Sequence, residues 1–135
     1  MSNENKITFM DAEHERFFFS ALKRCNNFDV YHQSFFYLLG LNADTRRNAA
    51  EIYDFDERLV RPGCLEQGWQ TSGTVRIVRL AFNLYCNGTP SVKCLEGNPL
   101  DECKRYAVDE IFCCSYAPYF WQAIKLRYPE YCGTA

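Results

Sequence analysis

Apolar positions recur at helical spacing along most of the chain. Residues 12–25 place Phe17, Phe18, Ala21, Leu22 and Cys25 on one side of a 3.6-residue period. Asp11 stands just before them, where a carboxylate can accept a free backbone N–H and cap the helix. The stretch NNFD breaks the pattern. Asp29 then reads as the cap of a second helix, VYHQSFFYLLG, with Gly40 in its C′ position. A third helix is expected after Asn42 or Asp44, running through TRRNAAEIYDF with Ala49, Ile52 and Tyr53 inward. Residues 56–68 read as irregular, punctuated by Pro62, Gly63 and Gly68. A fourth helix is predicted over about 73–86, capped by Thr71 or Ser72 and ended by Asn87-Gly88. TPSVKCLEGNPLDE reads as a loop, which makes 89–104 a candidate insertion. KRYAVDEIFCC alternates in part, so a minor β element is expected near 105–113. The last helix lies in SYAPYFWQAIKLRYPEY, with Pro118 in its first turn and an end before Pro129. Together these predict a mainly α fold: one domain over 1–135, about five helices around a central helix at 73–86, and a frayed start at 1–8.

The central helix carries the main functional question. At 100° per residue, Ser72, Arg76, Arg79 and Asn83 share an arc of roughly 60°. Apolar residues fill most of the remaining circumference, as in a buried helix. A guanidinium does not lose its proton in a protein, and leaving it buried and unpaired costs several kcal/mol. One reading pairs the two arginines with Asp54, Asp56 and Glu57, or with Glu13 and Glu15. The other makes Ser72, Arg76 and Arg79, with Trp69 and Gln70 before them, an anion pocket at a helix start, where free N–H groups favour phosphate or carboxylate. The QTSG turn is not a P-loop, because no Gly-Lys-Ser/Thr follows. Ion pairing within the chain is the expected outcome, with the anion pocket as its alternative.

Other chemistry is thinner. His14 sits in the first turn of its helix as Glu13-His14-Glu15, and His32 follows Tyr31 in the second. Both are candidate binding residues, but Glu-x-x-His, the metal pattern of helical bundles, is absent. The eight cysteines include no close Cys-x2-4-Cys pair, so reduced, buried thiols are expected rather than zinc. No G-x-S-x-G elbow occurs. No metal and no cofactor is expected, and no catalytic residue stands out.

Composition narrows the partners. The formal net charge is -2, so a general nucleic-acid ligand is not expected. No apolar run is long enough for a membrane span, and the first residues lack the plan of a signal peptide, which points to the cytoplasm. Aromatics make up 16% of the residues. FFYLL and APYFW are expected in the core, while some of Tyr116, Tyr119, Trp121, Tyr128 and Tyr131 should form a binding edge.

Four blocks in order carry a family likeness: DVYHQSFFYLLG (29–40), TRR…IYDF (45–55), GWQTSGTVRIVRLAFNLYCNG (68–88) and YAPYFWQAIKLRYPEY (116–131). Over about 9–131, leaving out 89–104, the chain resembles a small domain family of unknown function from Gram-positive gut bacteria and their mobile elements. The resemblance implies a bacterial or element-encoded protein and transfers no catalytic residue. The expected function is a small binding protein with a protein partner, such as a phage inhibitor of a host CRISPR nuclease, its acidic residues meeting a basic groove. A small enzyme or nucleotide-binding protein using Arg76, Arg79 and Ser72 with His14 or His32 is one alternative. An oligomeric structural protein is another.

Overall fold

The computed structural model describes residues 6–90 and 99–132. Helix α1 spans Ala12–Cys25 and α2 spans Val30–Leu39. Each starts on the predicted cap: the side chains of Asp11 and Asp29 accept the backbone N–H of His14 and His32, both at 2.9 Å. Helix α1 stops at Asn26, in the left-handed region at φ 51°, with its N–H turned back to Leu22 and Lys23 carbonyls. Gly40 ends α2 differently from expectation. Its φ is −76°, ordinary helical backbone, so left-handed freedom is not why glycine stands there. A Cβ at Gly40 would lie 2.7 Å from Cδ2 of His14 and 3.2 Å from the Phe17 ring. Close approach of α1 to the end of α2 needs a residue without a side chain.

The expected third helix divides. Asn42 caps α3, Ala43–Arg47, and a short α4 follows at Ala49–Ile52. Tyr53–Asp54 then leaves the helix as strand β1, antiparallel to β2 at Leu59–Val60, with Tyr53 opposite Val60. The reason is local. The Asp54 carboxylate accepts the N–H groups of Asp56 and Glu57, and Arg58 turns left-handed at φ 61°, closing a tight reversal that competes with helix. The inward assignment holds, since Ala49, Ile52 and Tyr53 are all buried. The β ribbon thus lies at 53–60 and not near 105–113. That later segment is a 3-10 turn, Lys104–Tyr106, followed by α7, Val108–Ile111. Another 3-10 turn, Pro62–Glu66, occupies part of the stretch read as irregular.

Helix α5 covers Ser72–Cys86. Thr71 caps it in a reciprocal box: its hydroxyl accepts the Thr74 N–H, and the Thr74 hydroxyl accepts the Thr71 N–H. Asn87, left-handed at φ 60°, ends it. Helix α6, Pro99–Cys103, lies inside the predicted loop, whose residues 91–98, including Cys94, fall outside the described part. Helix α8, Ala117–Arg127, carries Pro118 in its first turn as predicted. Thr8 donates its N–H to Gln122 Oε1 at 3.0 Å and accepts the Tyr37 hydroxyl at its carbonyl. Residues 1–5 lie outside the described part.

Helix α2 packs against α1, α5 and α8. Its run Phe35 to Leu39 is buried on every side, and α5 shares the centre by burying Ile77, Val78, Ala81 and Phe82. Each buried Phe, Leu, Ile or Val among them is worth roughly 1.5–3 kcal/mol of transfer free energy. That sum, rather than helix propensity, keeps a helix this apolar in place. Arg127 closes the far end. Its Nε donates to the Leu84 carbonyl at 2.9 Å and a terminal nitrogen to Asn87 Oδ1 at 2.6 Å. Its guanidinium lies 3.9 Å over the Tyr31 ring and 4.4 Å over that of Tyr128. A cation at the last carbonyls of α5 also meets the negative end of that helix.

Candidate functional site

The arginine stripe on α5 is satisfied from within, but not by the carboxylates the sequence suggested. Arg79 donates from Nε and a terminal nitrogen to both oxygens of Glu102, at 2.8 and 3.3 Å. The two side chains are 14% and 12% exposed, so this is a forked, largely desolvated pair. Glu102 belongs to α6, in the stretch read as a loop. Arg76 uses carbonyls: Nε donates to that of Glu110 at 2.9 Å and Nη1 to that of Ser72 at 2.8 Å. Asp54 instead pairs with Arg61, and Glu13 with Arg16.

The turn before α5 closes on itself in the same way. Gln70 donates to the Cys64 carbonyl and accepts the Thr74 hydroxyl. The Trp69 indole N–H donates to Gln67 Oε1. Ser72 is exposed, and its carbonyl is taken by Arg76. Of the residues predicted to share a site, Trp69, Gln70, Ser72, Arg76 and Arg79 cluster at and along the start of α5. His14 and His32 have partners elsewhere.

Each histidine completes a different buried junction. His14 is fully buried between the N-terminal segment and α2. Its Nδ1 accepts the Met10 N–H at 3.0 Å, and its Nε2–H donates to the Tyr37 carbonyl at 2.7 Å. Burial lowers its pKa, against the raising pull of the Tyr37 carbonyl and Asp11, and Arg46 lowers it further. His32 joins α2, β1 and α5. Its Nδ1–H donates to Asp29 at 2.8 Å, and Nε2 faces the hydroxyls of Tyr53 and Tyr85, each at 3.5 Å. Those hydroxyls lie 3.0 Å from each other. Burial works to raise the Asp29 carboxyl, but hydrogen bonds from the His32 backbone and ring outweigh it and hold the pKa low. Burial, with the Tyr85 hydrogen bond, pushes the Tyr53 phenol well above its usual range. An aspartate orienting a histidine is the arrangement of a general base. Here the far nitrogen faces two phenols, one of them fully buried, so the chain of groups ends in the protein's own core.

Seven described cysteines are free thiols. Cys25 and Cys64 are buried as expected, but Cys103 and Cys113 are exposed. Burial pushes Cys25 and Cys86 up, and Cys64 up to about 12, which suppresses the nucleophilic thiolate. Among the described residues no three His, Cys, Asp or Glu side chains converge to hold a metal ion, and no helix is long and apolar enough to cross a membrane.

One surface corner remains unabsorbed. FFYLL is core as expected, but of APYFW only Phe120 is buried; Pro118 is exposed, Trp121 on α8 is 54% exposed, and Val108 on α7 is 68% exposed. The Trp121 ring rests on Phe112 at 4.8 Å between centroids, and Phe112 lies one turn after Val108. Asp109 and Glu110, which follow Val108 on α7, are exposed. The sequence marked Trp121 as a possible edge residue. It missed Val108 and Phe112, because their segment reads as a strand.

Residues 4–135 match the family of unknown function DUF6075, and the chain belongs to that family. The match runs through 89–104, which the four sequence blocks leave out. No curated protein and no solved structure matches the chain.

Proposed function

We propose that this family member is a non-catalytic binding protein that docks a protein partner through the corner formed by Val108, Phe112 and Trp121. The observation that carries the reading is Trp121, an exposed aromatic braced by the Phe112 ring, next to a helix α7 that carries the exposed Asp109 and Glu110. An anchor of this type fits an apolar pocket rimmed by Lys or Arg on a partner. Two features weigh against the enzyme and anion-pocket reading: the Arg79–Glu102 pair fills the guanidinium fork, and the His32 relay ends on the phenols of Tyr53, which is fully buried, and Tyr85.

The narrower proposal is a bacterial or mobile-element protein that blocks a host defence complex, such as a CRISPR nuclease, by presenting Asp109 and Glu110 to a nucleic-acid groove. The test is capture from a bacterial host lysate on the immobilised protein and on its Trp121→Ala and Val108→Asp variants. The expected result is a partner retained by the parent and lost by both variants at unchanged melting temperature. Equal capture by all three proteins, or turnover of a substrate by the pure protein with no partner retained, overturns the reading. Light scattering on the same samples separates self-association from a foreign partner.

A further inference from the structure

The N-terminal segment Ile7–Met10 is tied down through a nitrogen that works only when unprotonated. His14 Nδ1 accepts from Met10 N–H, a group that can only donate. The other ring nitrogen already donates to the Tyr37 carbonyl, so the neutral ring is fixed in one tautomer. The ring lies directly against the Gly40 backbone, where a Cβ would sit 2.7 Å from Cδ2. Phe9 stands edge-on to it at 5.2 Å and also packs on Phe18, Phe19 and Tyr37. The charged and titratable groups around the ring come from each packed element. Asp11 at the start of α1 favours the charged ring, and Arg46 of α3 opposes it. Tyr37 of α2 and Tyr119 of α8 present rings at 4.5 and 6.5 Å.

We propose that Ile7–Met10 is an acid-released latch: a proton from solvent on His14 Nδ1 sets two N–H donors against each other and frees Met10, while the helical core stays folded. The Tyr37 bond, made by the other nitrogen, survives the proton. Release therefore starts at Met10 and spreads to Phe9, whose ring packs on His14. The segment also forms a wall of a surface groove of ≈ 620 Å³, lined by Ile7, Thr8 and Phe9 on one side and by Asp11, Glu15 and Phe19 at the α1 side. Unlatching remodels that groove, so acid changes a surface of ligand size without unfolding the domain.

The test is site-resolved amide exchange by NMR on the whole chain at about pH 7 and about pH 5, corrected for intrinsic rates, with the ring nitrogen shifts of His14 read in parallel. Protection at Met10 is expected to fall about tenfold or more as the ring takes up its proton, with Phe82 in α5 unchanged. His14→Gln keeps an acceptor and a donor but takes no proton, so its Met10 protection is expected to be equal at both pH values. Two results in the parent alone overturn the latch: a protonated His14 ring with Met10 still protected, or Met10 and Phe82 losing protection together. A folded His14→Gln that loses Met10 protection with acid as the parent does overturns it too.

Discussion

Helices α1 and α2 begin alike and then diverge. Both start Asp-x-x-His, and in both the aspartate accepts the backbone N–H of the histidine at 2.9 Å. At α2 the ring turns back to the same aspartate, and its second nitrogen meets two hydroxyls that can donate or accept. The second His32 nitrogen therefore faces a partner whether it donates or accepts. At α1 the ring turns inward to a backbone N–H, which only donates, and to a backbone carbonyl, which only accepts. His14 has no such tolerance. The same local signal yields a robust junction and a brittle one, and the difference lies in the partner groups rather than in the histidine.

The sharpest way to break this comparison is to truncate both rings. His14→Ala should cost about 3–5 kcal/mol in urea unfolding, from the cavity and the two orphaned backbone groups. His32→Ala should cost less, about 2 kcal/mol, because Tyr53 and Tyr85 keep each other and Asp29 reaches water. Equal or reversed costs would contradict it. Gly40→Ala should cost about 1–3 kcal/mol by pressing on the His14 ring, and much of that cost should vanish in a His14→Ala background. A fully additive double variant would show that the contact is not what constrains Gly40.

The arginines repeat the contrast. Arg79→Met leaves the Glu102 carboxylate largely desolvated and should lower stability by about 1–2 kcal/mol, whereas Arg76→Met, which frees only carbonyls near solvent, should stay within about 0.5 kcal/mol. A folded Arg79→Met protein as stable as the parent would remove the pair from the structural account. The His14 ring also sets a pH slope. The His14 pKa is lower folded than unfolded, so its contribution is present above about 6.5 and declines as pH falls toward the folded value. The slope cannot exceed about 1.4 kcal/mol per pH unit for one proton. Comparing urea midpoints of the parent and His14→Gln at several pH values isolates it.

Periodicity was enough to place α1, α2, α5 and α8, with their caps at Asp11, Asp29 and Thr71, because burial and local hydrogen bonding agree there. It failed at 53–60, where the side chain of Asp54 folds a turn against an apparently helical pattern. It also failed at 99–113, where short helices carry too few residues for a period to show. Glu102 was invisible as the partner of Arg79 for that reason: a contact across 23 positions leaves no local trace. The arginine slot itself was legible from the wheel, and so was the need to satisfy it. The two Asp-x-x-His starts were in plain view. Which way each ring turns depends on tertiary neighbours such as Gly40 and Tyr53, and no spacing announces those.

Arg127 has a bearing on synthesis. It caps α5 from the last helix while lying over Tyr31, and α8 covers α2. A nascent chain that has reached only Cys86 holds most of the apolar core but lacks the lid over it and the cation that finishes α5. The core is therefore complete only after α8, up to Arg127, has emerged and docked. A chain stopped before that point would leave the α8-facing side of α2 uncovered, an apolar surface of the kind that chaperones and proteases bind.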